Sequence, residues 1–330
     1  MNLLVTGSTG FFGRALIKYF EAERLLTGSL PLEQVTLLSR SPEQFRLNYP
    51  DLAILPWIQW HSGDILKPES LPRQNFSHIL HAAADSTDFA ALTPLQRYQQ
   101  IASGTLNILE FAVQHGTQRF LFTSSGGVYG PQPEGMAFIP ESYNGMPDPL
   151  LLSSTYGIAK RQAEHMCTLY GEQFGLETVI ARCFAFVGED LPLNAHFAIG
   201  NFIRDALWHE AITVGGDGTP LRSYLDQRDL AHWLVCLLLK GKPGQAYNVG
   251  SDKAVSIAEL AYLVRDTLAA SKPVHILGVP DKQQQQRNLY IPNIDKARTS
   301  LQLDVQISLE QAITHTGKVR SRKKERMNLS

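Results

Sequence analysis

The 330 residues carry 30 lysines and arginines against 31 aspartates and glutamates, so no overall field draws the chain to nucleic acid or to an anionic membrane. A hydrophobic share of 44% with 18% charged residues is that of a globular protein with a sizeable buried core, in one or two domains at this length. Three scattered cysteines, ten histidines without H-E-x-x-H spacing and no apolar run of about 18 residues argue against a disulfide framework, a metal centre and a membrane span.

A strand-like segment begins at Asn2, where a targeting leader would be charged and then apolar, and a cytoplasmic protein is expected. The runs "NLLVT", "QVTLLS", "WIQWH", "HILHAA", "RFLFTS" and "ETVIA" are apolar on both faces, as in the strands of a covered parallel sheet. Helix-length segments separate most of them: Phe12 to Leu26, Leu95 to His115 and Tyr156 to Phe174. The rhythm predicts an α/β fold with a doubly wound parallel sheet.

After about Arg182 the rhythm loosens into "GGDGTPLRSY", "PGQAYNVGSDK" and a helix from Ser256 to Ala269. This predicts a smaller lobe over the carboxyl ends of the strands, where ligands bind in such folds. The expected division is 1–182 with a returning segment at about 223–250, then 183–222 with 251–315. The last stretch, 316–330, is basic ("KVRSRKKERMNLS") and reads as a solvated, flexible tail. Gln283 to Gln286 read as an exposed loop.

At the first strand–helix junction stand Gly7, Gly10 and Gly13. The first allows a tight turn, the second lets backbone approach a diphosphate, and the third lets helix pack on sheet. The free N–H groups at the helix start favour the anion. At the end of the second strand a carboxylate would accept from the ribose of NAD, yet this chain has Ser39 and Arg40. A hydroxyl and a guanidinium suit a 2′-phosphate, so NADP is favoured over NAD. Asp64 and Ile65 are expected beside the adenine. The small residues Ala82, Ala83 and Ala84 would let the cofactor lie against backbone.

In "SSTYGIAKRQAE", Tyr156 and Lys160 fall one helical turn apart on one face. A phenol beside an ammonium ion loses its proton more easily. Moving a tyrosine from its usual pKa of about 10 to neutrality takes about 4 kcal/mol. An ammonium ~5 Å away at an effective dielectric of ~20 supplies roughly 3 kcal/mol of it.

Together "TGSTGFFG", "HAAA", "TSSGGVYG", "YGIAK" and "YNVG" resemble the extended short-chain dehydrogenase/reductases, the NAD(P)-dependent epimerase/dehydratase family that acts on nucleotide sugars. The resemblance runs from Asn2 to about Ile313. It implies a Rossmann domain, a small C-terminal substrate lobe and a homodimer made through a four-helix bundle. It further implies Tyr156 as catalytic acid/base, Lys160 as its partner and holder of the nicotinamide ribose, and Ser125 as the group that orients the reacting oxygen. Thr9, Phe11, Phe12 and Thr123 are implied around the cofactor, and Ser124 beside the substrate. In the second lobe Arg222 is implied at a substrate diphosphate, with Tyr224 and Asp229 keeping the pattern's spacing. Asn201 and Arg287 are further candidates for nucleotide contacts. There are departures: Ala185 stands where the family commonly has asparagine, and Glu189 where it has proline, with His196 nearby.

Family 4,6-dehydratases carry an acid–base pair ending in Glu just after the catalytic Ser/Thr, because removing water needs a second acid and base. Here those positions are Gly126 and Gly127, which argues against dehydration. The expected activity is a nucleotide-sugar 4-epimerase, with an NADPH-dependent 4-ketoreductase as the alternative that Ser39 and Arg40 would suit. A reductase of another ketone has less use for Arg222, and a non-enzymic NADP-binding role has no need of Ser125, Tyr156 and Lys160 together.

Overall fold

The first apolar run, Asn2–Thr6, forms strand β1 and is buried from Leu3 onward, as the lack of polar alternation requires. The structure is a computed structural model that describes residues 1–26, 28, 32–84, 92–279 and 288–329. After β1 come α1 (Phe11–Leu26), β2 (Gln34–Ser39), α2 (Pro42–Asn48), α3 (Pro50–Ala53), β3 (Ile58–Ser62) and β4 (His78–His81). Then follow α4 (Pro94–Gln114), β5 (Arg119–Ser125), α5 (Thr155–Phe174) and β6 (Glu177–Cys183). The rest comprises β7 (Phe186–Val187), α6 (Ala198–Trp208), β8 (Ile212–Val214), β9 (Leu221–Arg222), β10 (Leu225–Asp226), α7 (Gln227–Lys240) and β11 (Gln245–Val249). Last come β12 (Val255–Ser256), α8 (Ile257–Leu268), β13 (Val274–Ile276), β14 (Leu289–Tyr290), α9 (Asp295–Leu301) and α10 (Leu309–Leu329).

Seven strands form one parallel sheet in the order β11-β6-β5-β4-β1-β2-β3. β1 pairs with β2 on one side, Leu3 opposite Val35, and with β4 on the other, Leu3 opposite His78. The connection order reverses there, and in sheets of this kind that switch point is where ligands bind. Against the sheet pack α4 and α5, burying Ile101, Ile108 and Phe111 from one helix and Ala159, Ala163 and Cys167 from the other. Thr93 opens α4 with a reciprocal capping box to Gln96. Gly175, at a φ of 69°, closes α5 in the left-handed conformation.

Residues Met1–Gly130, Met146–Cys183 and Ala231–Tyr247 make one compact unit. Pro131–Gly145, Phe184–Leu230 and Asn248–Ser330 make the other, so 131–145 goes with the second unit although the sequence placed it in the first. In the second unit β9 is the middle of a three-stranded sheet with β12 and β14, and α6, α8 and α10 pack together. The expected flexible tail is instead the end of α10, which is helical to Leu329. Ile313 and Thr316 are buried, Gly317 brings α10 against Leu268 of α8, and the Lys324 ammonium lies 5.0 Å from the Trp208 ring. Cation–π and packing contacts of this kind hold a helix that its charge alone would leave solvated. Among the described residues, no helix is long and apolar enough to cross a membrane. Gln283 to Gln286 lie outside the described residues.

Candidate active site

Gly7 has a φ of 70°, and a Cβ there would strike the Ala82 carbonyl. The Gly10 N–H donates to the Gly7 carbonyl at 3.1 Å, and a Cβ on Gly13 would collide with the Ser8 backbone. Gly7 and Gly13 are thus forced by backbone contact, and the exposed Gly10 leaves the start of α1 open. Ser8 Oγ donates to the Leu38 carbonyl at 2.9 Å, tying the loop to the strand that ends at Ser39. Thr9 and Phe12 are half-buried, whereas Phe11 is buried with its ring 5.9 Å from that of Phe12. A glycine-bounded loop at the foot of a 16-residue helix fits a dinucleotide diphosphate.

Thr6 Oγ1 accepts from the Ala82 and Ala83 N–H groups, both at 3.2 Å. Its own proton therefore goes to His81 Nδ1 at 2.7 Å, leaving the His81 Nε2 proton for Thr105 Oγ1 at 3.2 Å. Burial, and then the charge of Lys160, push His81 down to about 3, so the ring is neutral. The network fixes the half-buried Ala82, Ala83 and Ala84 next to Gly7.

Ser39 is buried, its Oγ accepting from the Ser41 N–H at 3.2 Å, and Arg40 is exposed. Asp64 is half-buried and accepts from the Leu66 N–H at 3.0 Å. Ile65, expected beside the adenine, turns its side chain into the core where Gly104 of α4 leaves room. Its carbonyl is taken by Asn107 Nδ2 at 2.8 Å.

β5 delivers Thr123, Ser124 and Ser125, and α5 delivers Tyr156 and Lys160. Lys160 is 2% exposed, and its Nζ donates to the Thr123 carbonyl at 2.7 Å. The same nitrogen lies 5.8 Å from the Tyr156 ring centre and 4.7 Å from that of Phe122. Burial pushes the ammonium down to about 8 against the pull of its neighbours. Ser125 Oγ accepts from the Gly127 N–H at 3.1 Å. A Cβ on Gly127 would lie 3.4 Å from Ser125 Oγ and 4.0 Å from Tyr156 Cδ1, so hydroxyl and phenol ring both border this one glycine. Gly157 rests on the Gly127 carbonyl and fixes the start of α5 there. The trio expected from sequence is thus brought together in one unit.

Ser124 is not part of that surface. Alternation along β5 sends its hydroxyl to Glu164 at 2.5 Å, and it is 3% exposed. Glu164 and its partner Arg182 were missed from sequence, although Glu164 repeats the four-residue step of Tyr156 and Lys160.

In the second unit Arg222 is half-buried on β9. Its Nη1 donates to the Leu221 and Asn288 carbonyls, both at 2.8 Å. Burial lowers its pKa, and among the described residues no carboxylate stands within ion-pair distance. Tyr224 is buried and pushed up to about 12 by burial, and Asp229 accepts from the Gln306 and Ile307 N–H groups, both at 3.0 Å. Asn201 Oδ1 accepts from Arg204 at 3.2 Å. Where asparagine was expected, the Ala185 carbonyl accepts from Leu225 at 3.0 Å. Arg287 lies outside the described residues.

A family model described as the NAD dependent epimerase/dehydratase family matches residues 3–250. The chain belongs to that family. This epimerase/dehydratase chain is 28% identical over 320 residues to UDP-glucuronic acid decarboxylase 3 of Arabidopsis thaliana, covering 95% of this chain and 87% of that one. It is 27% identical over 327 residues to UDP-glucuronic acid decarboxylase 1 of Danio rerio, covering 98% and 73%. Among solved structures, a dTDP-glucose 4,6-dehydratase from Streptomyces venezuelae with NAD bound is similar at a TM-score of 0.84, with 24% identity and 98% of each chain covered. A UDP-glucose 4-epimerase from Thermotoga maritima gives 0.80, with 22% identity and 98% and 100% covered. These likenesses establish the fold of the family, and the protein is an enzyme of the extended short-chain dehydrogenase type.

Proposed function

We propose that the protein is a nucleotide-sugar 4-epimerase that uses NADP in preference to NAD, and that it works as a cytoplasmic homodimer. The observation that carries the reading is the Ser125–Gly127–Tyr156 arrangement over a buried Lys160. Bound nicotinamide supplies a reversible hydride acceptor. Tyr156, as phenolate, takes the proton of the C4 hydroxyl while C4 gives up hydride, and it returns the proton once the ketone has turned over. The Lys160 charge favours that phenolate. Ser125 Oγ, already oriented by the Gly127 N–H, holds the C4 oxygen through both half-reactions. Arg222, half-buried without a carboxylate partner among the described residues, supports a diphosphate contact. The residues Leu95, Leu106, Leu169 and Phe174, exposed on α4 and α5, support pairing through those helices.

Gly126 and Gly127 offer no carboxyl group for dehydration. Two other outcomes have specific support. Exposed Arg40 beside Ser39 suits NADPH and one-way reduction of a 4-keto sugar. The relatives named above suit a hexuronate, because oxidation at C4 makes a β-keto acid that releases carbon dioxide with the carbonyl as electron sink.

A panel of UDP-, dTDP-, CDP- and GDP-sugars tests the reading. Isomerisation without added cofactor is expected. Carbon dioxide from UDP-glucuronate would replace it with the decarboxylase, and stoichiometric NADPH consumption on a keto sugar with the reductase.

A further inference from the structure

Tyr156, Lys160 and Glu164 follow one another at four-residue steps along α5, and the reading above uses only the first two. Glu164 is buried. Its Oε1 accepts from Ser124 Oγ at 2.5 Å and from Arg182 Nε at 3.0 Å, and its Oε2 from Arg182 Nη2 at 2.7 Å. Arg182 Nη1 reaches the Tyr129 hydroxyl at 2.9 Å. Burial opposes the Arg182 charge, and the bond and attraction from Glu164 more than offset it, raising its pKa. Buried ion pairs contribute little net stability, because desolvation of both charges offsets their attraction. The pair therefore calls for another explanation.

Lys160 provides one. Helix and strand are joined at consecutive residues: Lys160 to the Thr123 carbonyl and Glu164 to the Ser124 hydroxyl. The titratable groups acting on or feeling Lys160 are Tyr156, Glu164 and Cys167 on α5, Cys183 on β6 and His81 on β4. Burial pushes both thiols up, Cys183 to about 12, so near neutrality neither carries charge, and His81 is neutral. Glu164 is left as the carboxylate acting on the ammonium.

We propose that Glu164 is a positioning residue whose carboxylate keeps the buried Lys160 protonated, while Ser124 and Arg182 hold that carboxylate against the strand carrying Ser125. The use of this charge in catalysis rests on the C4 chemistry proposed above; the charge itself does not.

The test follows the Lys160 ε-CH2 resonance with pH in protein labelled with 13C-lysine, the signal being the one that Lys160→Met removes. In Glu164→Gln the midpoint is expected to fall by about 1 pH unit or more, the scale of losing one close opposite charge. Glu164→Asp restores it to within about half a unit. Should a lone buried Arg182 prevent folding, the neutral pair Glu164→Gln with Arg182→Met is titrated instead, and a smaller fall is expected, because a more distant cation leaves together with the carboxylate. Loosened packing admits water and raises the midpoint of a buried lysine, so a rise, or no change, overturns the proposal. Sugar turnover is read separately: a wild-type protein inert on every nucleotide sugar sinks the C4 chemistry and leaves the titration to judge Glu164.

Discussion

Lys160 Nζ donates to the Thr123 carbonyl oxygen at 2.7 Å, joining the helix that carries Tyr156 to the strand that carries Ser125. The contact is made by a cation in the interior, and its energetic sign follows. Folded Lys160 releases its proton at about 8, against an ordinary value of 10.5. Between these values the unfolded chain binds more protons, so on this account stability rises with pH from about 8 to 10.5, and the full penalty applies below 8. That penalty is about 3 kcal/mol. Lys160→Met removes it and takes the ammonium donor from the Thr123 carbonyl, at a cost of about 1–3 kcal/mol. At pH 7 the variant should equal or exceed the wild type in urea unfolding, and its advantage should shrink at pH 10. An advantage independent of pH would show that the amine is not buried as a cation.

Tyr156→Phe should bind NADP as the wild type does and lose turnover at least about a hundredfold, the scale for removing an acid/base group. The ring stays beside Gly127, so its packing is kept. Unimpaired turnover would remove Tyr156 from the chemistry.

Arg40 is exposed and Ser39 is occupied by the Ser41 N–H, so discrimination of a 2′-phosphate falls chiefly on the guanidinium. Arg40→Ala should weaken NADP binding at least about tenfold, as loss of a charge-assisted contact does, and leave NAD nearly unchanged. Calorimetry with both cofactors decides; equal losses refute the assignment.

Gly7→Ala places a Cβ on a backbone at φ 70° and against the Ala82 carbonyl. The strain alone is about 1–3 kcal/mol. A lowered unfolding midpoint together with loss of cofactor binding is expected, whereas a variant as stable as the wild type would mean that the loop has another conformation.

Six strands and three long helices were legible because both periodicities were clean: apolar runs bounded by glycine turns, and helical stripes of apolar residues. Strand β11 was hidden in "PGQAYNVGSDK", where glycine and proline outweigh a short apolar run. Helix α6 kept its signal, Ile199, Phe202, Ile203 and Ala206 being its buried face, but a loop-rich neighbourhood obscured it. The tail misled because charge was read without Trp208, which lies far away in sequence. At the site, the placing of Tyr156 beside Lys160 was legible from helical spacing, and Ser125 only through the family resemblance. Ser124 and Ile65 were not, since which way a side chain turns depends on partners, Glu164 and Gly104, that only the fold brings near.

Gly157 meets the carbonyl of Gly127 with no side chain between them, and Pro147 would lie 3.2 Å from any Cβ added there. The approach of the helix start that carries Tyr156 to the turn that follows Ser125 is therefore set by main chain, with no intervening side chain whose rotamer could change it. A larger residue at 157 would be felt as a displaced Tyr156 while the protein still folds, so damage at this seam should surface in rate before it surfaces in melting.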